Sequence, residues 1–149
     1  MKDKHLKFYL SQVQELAELS TCSRNKFGAL IIDEKHNCIL MNGYNGTARG
    51  SRYGLCGGCY CIRDKEQIKS GTQVSIGCNH AESNAIANCA RLGIPTFKKS
   101  IIVSGEPCIN CAKLIVQAGL DKVYYINAGY SSAAGIEYLK QNNIELILL

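Results

Sequence analysis

The sequence predicts an α/β fold in which helices cover both faces of a mixed sheet. Three observations carry this prediction: a helical apolar pattern near the amino terminus, then a hairpin of two strands, then alternating strands and helices. The hairpin joins residues 28–33 to residues 38–41 through a polar turn, so this pairing is antiparallel. The later strands each follow a helix, and we expect them to be parallel with right-handed crossovers.

Each helix is predicted from apolar residues at three- and four-residue spacing, and each strand from a short apolar run. Gly93 and Gly119 are typical residues to follow the end of a helix. The predicted helices cover 5–20, 64–69, 80–92, 108–118 and 132–141. The predicted strands cover 28–33, 38–41, 101–103, 123–126 and 144–148.

The length of 149 residues suits one domain spanning residues 1–149. Hydrophobic residues make up 46% and charged residues 19%, which excludes intrinsic disorder and a coiled coil. No apolar run approaches the ~18 residues of a membrane span, and no signal-peptide pattern follows the start, so we expect a cytoplasmic protein without membrane contact. The net charge of +5 comes from scattered cations, which argues against nucleic acid as a partner.

Nine cysteines are the unusual feature of the composition. In a reducing compartment, clustered cysteines indicate metal binding rather than a disulfide framework. Several of them fall in a long Gly- and Cys-rich loop insertion, predicted to span residues 43–79. Cys38 and Cys89 lie within apolar runs instead, and we expect them to be small core residues.

Two motifs at the starts of successive predicted helices carry the chemistry: His-Ala-Glu at residues 80–82 and Pro-Cys-Ile-Asn-Cys at residues 107–111. One imidazole and two thiolates supply three ligands of a tetrahedral zinc and leave the fourth position to water, as in catalytic sites. Zinc lowers the pKa of such a water to about 7. Glu82 lies where a proton shuttle is needed, and a structural zinc with a solvated Glu82 is the alternative. The predicted zinc ligands are His80, Cys108 and Cys111.

The spaced pattern of the two motifs is the signature of zinc nucleobase deaminases. The chain also resembles the deoxycytidylate (dCMP) deaminase family of the cytidine deaminase superfamily, from about residue 6 to residue 130. The Gly-Tyr-Asn-Gly stretch at residues 43–46 is the most specific to that family. Further matching stretches lie at 20–24, 27–32, 61–63, 83–86 and 112–119. The resemblance implies a three-layer α/β/α cytidine deaminase-like fold with a central mixed five-stranded sheet.

The resemblance implies a hydrolase that converts dCMP to dUMP and ammonia and thereby supplies thymidylate synthesis. It implies a homo-oligomer, a hexamer or a dimer, with dCTP and dTTP as candidate effectors. The implied substrate contacts are Asn45 at the sugar, Arg24 and Lys26 near the phosphate, Ala81 through its backbone N–H, and Tyr130 beside the base or sugar. A turn role for Asn45, surface roles for the two cations, and a core or interface role for Tyr130 stay open.

One position departs from the family pattern. Glu106 precedes Pro107, where many dCMP deaminases carry an apolar or aromatic residue. At this position the chain resembles deaminases that act on nucleosides or on tRNA adenosine. The alternative substrates are therefore another cytosine nucleotide or nucleoside, such as dCTP, CMP, a 5-substituted dCMP or deoxycytidine. A non-enzymatic zinc protein that binds nucleotides is a further alternative.

The remaining cysteines suggest a second, structural zinc that ties the long loop to the end of the first helix. Some dCMP deaminases carry a comparable second zinc. Free thiols are the alternative. By placement, the expected ligands are Cys22, Cys56, Cys61 and Cys78, with Cys59 as the alternate.

Overall fold

The computed structural model describes residues 1–50, 61–69, 72, 74, 76–126 and 133–149. Five strands and five helices are found in that part of the chain. The strands are β1 (Gly28–Asp33), β2 (Cys38–Tyr44), β3 (Ser100–Val103), β4 (Lys122–Tyr125) and β5 (Glu145–Leu148). The helices are α1 (Asp3–Ala17), α2 (Ile62–Lys65), α3 (Ala81–Leu92), α4 (Ile109–Gln117) and α5 (Ala134–Gln141).

The strands form one mixed sheet in the order β2-β1-β3-β4-β5. β1 runs antiparallel to both of its neighbours, β2 and β3. β3, β4 and β5 are parallel to one another, as the alternation of strands and helices predicts. The predicted mixed five-stranded sheet is therefore confirmed.

The side chains of β1 divide the core into two layers, because successive residues of a strand face opposite sides of the sheet. Leu30 and Ile32 pack with α1 on one face. Ala29 and Ile31 pack on the other face, in a core cluster that draws on α3, α4 and α5. Helices thus cover both faces, in three layers. Within the described ranges, no helix has the length and apolar character needed to cross a membrane.

The edge strand β2 is covered closely by α3. A Cβ atom at Gly43 would collide with the carbonyl oxygen of Ala81 and the amide nitrogen of Ala85, so glycine permits this approach. The Nδ2 atom of Asn84 donates to the Tyr44 carbonyl at 2.8 Å, and that of Asn88 donates to the Asn42 carbonyl at 3.2 Å. These contacts hold the start of α3 against the carboxyl end of β2.

Several predicted boundaries are wrong. α1 spans 3–17 rather than 5–20, because the chain turns after Ala17, leaving Leu19 60% exposed. β2 continues to Tyr44, so the loop predicted from residue 43 begins two residues later and also contains α2. α2 lies earlier than predicted, since Cys61 is its N-cap and Gln67 takes a φ of 53°.

The two cysteines predicted in the core have different environments. Cys89 is 1% exposed within the core cluster, which confirms the prediction for this residue. Cys38 is exposed, so the prediction is wrong there. Cys38 begins β2, and an edge strand has a neighbouring strand on one side only.

Candidate metal centre and active site

Two helix starts come together at one end of the sheet and bring the two motifs into contact. His80 is the N-cap of α3, with φ −77° and ψ 158°. Cys108 is the N-cap of α4, with φ −69° and ψ 166°. Each of these residues already accepts the first helical hydrogen bond through its carbonyl group, from Asn84 at 3.0 Å and from Ala112 at 2.8 Å. The sequence placed both residues inside the helices, one position from their actual role.

The donor atoms of the predicted ligands have the spacing of a metal site. The Sγ atoms of Cys108 and Cys111 each lie 3.4 Å from Nδ1 of His80, and all three donor atoms lie within 4.8 Å of one another. Tetrahedral zinc, with bonds of about 2.3 Å to sulfur and about 2.0 Å to nitrogen, separates such atoms by about 3.5 Å. The three side chains could therefore hold one zinc ion. Among the described residues, no other group of three such side chains is this close.

The three groups are coupled electrostatically. The hydrogen bond with Cys111, aided by His80, lowers the pKa of Cys108 to about 4. Its hydrogen bond with Cys108, together with burial, raises the pKa of Cys111. The hydrogen bond with Cys108 raises the pKa of His80. Such a set holds protons that a metal cation displaces on binding.

Glu82 lies in the first turn of α3, two residues beyond His80, and is only 7% exposed. Burial raises the pKa of its carboxyl group, while the nearby His80 opposes this shift. A buried carboxyl with a raised pKa, next to a metal site, is suited to take up and return a proton.

Asn45 follows β2 and is 7% exposed. Its Oδ1 atom accepts from the Phe27 amide at 2.8 Å, and its Nδ2 atom donates to the Asn25 carbonyl at 2.8 Å. Its own carbonyl accepts a hydrogen bond from the Ser20 hydroxyl at 2.8 Å. Asn45 therefore fixes the segment that precedes β1, which agrees with its open turn role, and its contact with a sugar stays a prediction.

The two predicted phosphate-binding cations already have acidic neighbours. Nε of Arg24 lies 3.6 Å from the Asp64 carboxylate, and Nζ of Lys26 lies 2.6 Å from that of Glu18. Arg24 is the more buried cation, and its Nη1 atom is buried without a hydrogen-bond partner among the described residues. Within the described part of the chain, Arg24 thus keeps an unused donor, whereas Lys26 is paired at the surface.

Of the last two predicted substrate contacts, Ala81 and Tyr130, the structure describes only Ala81. Ala81 is the first residue of α3 and is 1% exposed, and its N–H has no acceptor within the helix. Tyr130 lies outside the described residues.

The cysteines predicted to hold a second zinc are brought together in part. The hydrogen bond with Cys78 lowers the pKa of Cys22 to about 5, and the backbone amides of Asn25 and Arg24 also bond to Cys22. Cys61 is buried at the start of α2, but in the described part of the chain it does not complete a three-ligand cluster with that pair. Cys56 and Cys59 lie outside the described residues.

The contacts of three further residues were not predicted from the sequence. The Ser104 hydroxyl accepts from the Gly28 amide at 2.9 Å and joins β1 to the end of β3. Nη2 of Arg63 donates to the Thr72 carbonyl at 2.9 Å, and its side chain lies over Gly77, whose φ is 120°. Gly135 of α5 contacts the turn that carries Cys108. At residue 135 the only signal in the sequence was the glycine itself, and a glycine does not reveal which residue it contacts.

Comparison with known proteins agrees with this geometry. The His-x-Glu and Pro-Cys-x-x-Cys pair is the signature of the class of zinc nucleobase deaminases. The family described as "Cytidine and deoxycytidylate deaminase zinc-binding region" matches residues 3–127, and the chain belongs to this family. The family resemblance noted from the sequence is thus confirmed.

Individual relatives show how far the likeness extends. "ComE operon protein 2" of Bacillus subtilis (strain 168) is 37% identical over 118 residues, which are 79% of this chain but only 57% of that protein. The deoxycytidylate deaminase of Mycobacterium phage D29 is 28% identical over 123 residues, with 79% of this chain and 91% of the phage protein covered. A crystal structure of dCMP deaminase from the cyanophage S-TIM5, in complex with dCMP and dUMP, aligns with a TM-score of 0.79 and 28% identity. That alignment covers 100% of this chain and 99% of the cyanophage chain.

Proposed function

We propose that the chain catalyses the hydrolytic deamination of dCMP to dUMP and ammonia, at a zinc ion held by His80, Cys108 and Cys111. The observation that carries the proposal is the pair of 3.4 Å separations between His80 Nδ1 and the two sulfur atoms, next to the buried Glu82. The family supports deamination as the reaction. The relatives named deoxycytidylate deaminase, and the cyanophage enzyme bound to dCMP and dUMP, support the substrate.

Glu82 performs the proton transfers in this proposal. When bound, zinc supplies a water whose pKa is lowered to about 7. The Glu82 carboxylate would take one proton from the water that adds at C4 of the cytosine and would deliver it to N3. It then moves the remaining hydroxyl proton to the amine, which leaves as ammonia. The sum is dCMP plus water giving dUMP plus ammonia.

The neighbouring residues suggest how the nucleotide is held. The Ala81 N–H, at the start of α3, is a donor for a carbonyl oxygen of the pyrimidine. Arg24 is the stronger phosphate candidate, because its Nη1 atom is a buried donor for which the described residues offer no acceptor. Lys26 would first have to leave Glu18. Asn45 beside the sugar, and Tyr130 beside the base or sugar, complete the proposed contacts.

A turnover panel on zinc-loaded protein tests the proposal. The panel contains dCMP, CMP, dCTP, deoxycytidine, 5-methyl-dCMP and a short single-stranded oligonucleotide, and mass spectrometry identifies the products. We expect dCMP to be converted at the highest kcat/KM. If another compound of the panel is converted at the highest kcat/KM, the deamination mechanism stands but the substrate assignment changes. Glu106 would then be the first residue to substitute. Absence of turnover from folded, zinc-loaded protein would favour a nucleotide-binding protein instead.

We also propose a second, structural zinc with Cys22 and Cys78 among its ligands. The contact of these two thiols supports it, and so do the backbone amides that bond to Cys22. Cys61 and either Cys56 or Cys59 are the remaining candidates. Metal analysis should find two zinc ions per wild-type chain and one in Cys78→Ser. The control is Cys38→Ser, which changes an exposed cysteine and should keep both. An unchanged zinc count in Cys78→Ser would remove Cys78 from the ligand set.

The cellular role follows from the proposed reaction. Because dUMP is the precursor that thymidylate synthesis methylates, we propose that the enzyme supplies that step. Assembly as a homo-oligomer, a hexamer or a dimer, and regulation by dCTP and dTTP belong to the same proposal. Light scattering, and turnover with each effector added, test these two properties.

A further inference from the structure

The first turn of α5 presses its backbone against the turn that carries Cys108. Gly135 lies in the first turn of α5 and is buried. A Cβ atom at residue 135 would lie 2.9 Å from the carbonyl carbon of Cys108 and 3.0 Å from that of Pro107. It would lie closer still to the Pro107 carbonyl oxygen. Only glycine avoids this overlap, so the contact is made between two backbones.

The same face of α5 also packs into the core. Leu139 is fully buried in the same core cluster as Ala112 and Ile115 of α4. Residues 135 and 139 lie one turn apart, on the same face of a helix. Glycine in a helix costs about 1 kcal/mol relative to alanine, so its presence here agrees with the need for close approach. α5 therefore packs directly behind Pro107 and Cys108.

We infer that Gly135 is a positioning residue for the metal centre: the first turn of α5 supports the Pro107–Cys108 turn and thereby sets the position of the Cys108 sulfur relative to His80. This inference rests on the proposed zinc ligands. A methyl group at residue 135 displaces the turn, because the opposing atoms are backbone and cannot rotate away. The Cys108 sulfur moves with the turn, and the 3.4 Å spacing to His80 is lost.

Gly135→Ala tests the inference through the metal rather than through turnover. We expect zinc affinity, measured by competition with a chelator, to fall at least about tenfold. The visible spectrum of the cobalt-substituted protein should also change, because that spectrum reports the ligand geometry. Helix propensity alone predicts the opposite sign for folding, since alanine favours the helix. Wild-type zinc affinity together with an unchanged cobalt spectrum would overturn the inference.

Leu139→Ala is the matched control within the same helix. It removes a fully buried side chain but adds no atom against Pro107. We expect it to lower the Tm while preserving the cobalt spectrum. If Leu139→Ala changes the spectrum as Gly135→Ala does, loosening of α5 in general is responsible and the specific role of Gly135 is wrong.

A measurement on the wild-type protein covers the case in which Gly135→Ala does not fold. Because coupling between two sites is reciprocal, zinc binding must stabilise α5 if α5 supports the ligand turn. We expect hydrogen exchange of the α5 amides to slow on zinc addition, relative to the amides of α1. Unchanged exchange in α5 would overturn the inference. A wild-type chain that binds no zinc at all would instead contradict the proposed metal centre.

Discussion

Compared with the metal-binding end of the sheet, the opposite end of the same strands satisfies its charges internally. There the Asp33 carboxylate accepts from Nζ of Lys99 at 2.6 Å and lies 2.9 Å from Nδ1 of His36. The Glu34 carboxylate accepts from the Ser100 hydroxyl at 2.6 Å and from the Tyr124 hydroxyl at 3.0 Å. Each acid thus faces a donor at or next to the start of β3, and Glu34 also faces one from β4.

The metal-binding end instead gathers groups that bind cations. Two thiols and the Glu82 carboxyl surround a single imidazole, and their pKa shifts arise largely from one another and from burial. Buried charge is costly unless it is paired, so a cation from solution would complete this end. The comparison, together with the proposed function, assigns stability to one end of the sheet and chemistry to the other. Substitutions at the two ends should therefore affect these two properties separately.

The largest expected effect is on turnover. Glu82→Gln removes the proton shuttle and should lower kcat by about 10²–10⁴-fold. Zinc content should stay at the wild-type value, and the Tm should not fall, because the amide avoids burying a charge. Metal analysis and melting of the same preparation serve as controls. Wild-type turnover would show that Glu82 is not the shuttle.

Metal removal should have the next largest effect, and it should act on stability. With free zinc at 100- to 1,000-fold above its dissociation constant, binding stabilises the fold by about 3–4 kcal/mol, which a chelator would abolish. Differential scanning calorimetry with and without chelator measures this change. The Cys108→Ser variant separates the two proposed zinc ions, since any chelator response that it retains comes from the second site. An identical Tm with and without chelator in the wild-type protein would contradict metal binding.

A substitution at the opposite end of the sheet should lower stability and leave turnover unchanged. Tyr124→Phe removes the hydrogen bond to Glu34 and should cost about 1–2 kcal/mol of unfolding free energy, with kcat unchanged. Urea unfolding of the variant measures the stability loss, and a turnover assay of the same variant measures kcat. Tyr125→Phe is the control, because it leaves the bonds of Glu34 in place. A fall in kcat without a loss of stability would contradict the division between the two ends.

The smallest expected effect appears on acidification. The hydrogen bonds from Lys99 and His36 hold the pKa of Asp33 below its usual value. A lowered carboxyl pKa contributes stability above the pKa of the unfolded chain, and the contribution disappears as the pH falls through the folded-state pKa. Below about pH 4, the Tm of Asp33→Asn should therefore decline less steeply than that of wild type. Asp121→Asn, at an exposed carboxylate, is the control and should follow the wild-type curve.

The sequence predicted those parts of the fold and of the site whose signal is local or repeated along the chain. Apolar spacing predicted the strands and their directions, and the two short motifs predicted three side chains that the fold brings together. The remaining features depend on partners distant in the chain. Nothing near Gly135 reveals that it meets Pro107, and nothing near Lys26 reveals its pairing with Glu18. Cys38 has a core-like apolar neighbourhood, and only the strand order shows that it lies at an edge.

The two asparagine bonds from α3 to β2 also bear on aggregation. The Asn45 amide donates to the Phe27 carbonyl, and along an antiparallel pair the bonded positions alternate, so the carbonyls of Asn42 and Tyr44 point away from β1. Outward carbonyls on an edge strand are acceptors for a strand of another molecule. Asn84 and Asn88 occupy both of them, so this part of the edge resists strand addition when molecules crowd together.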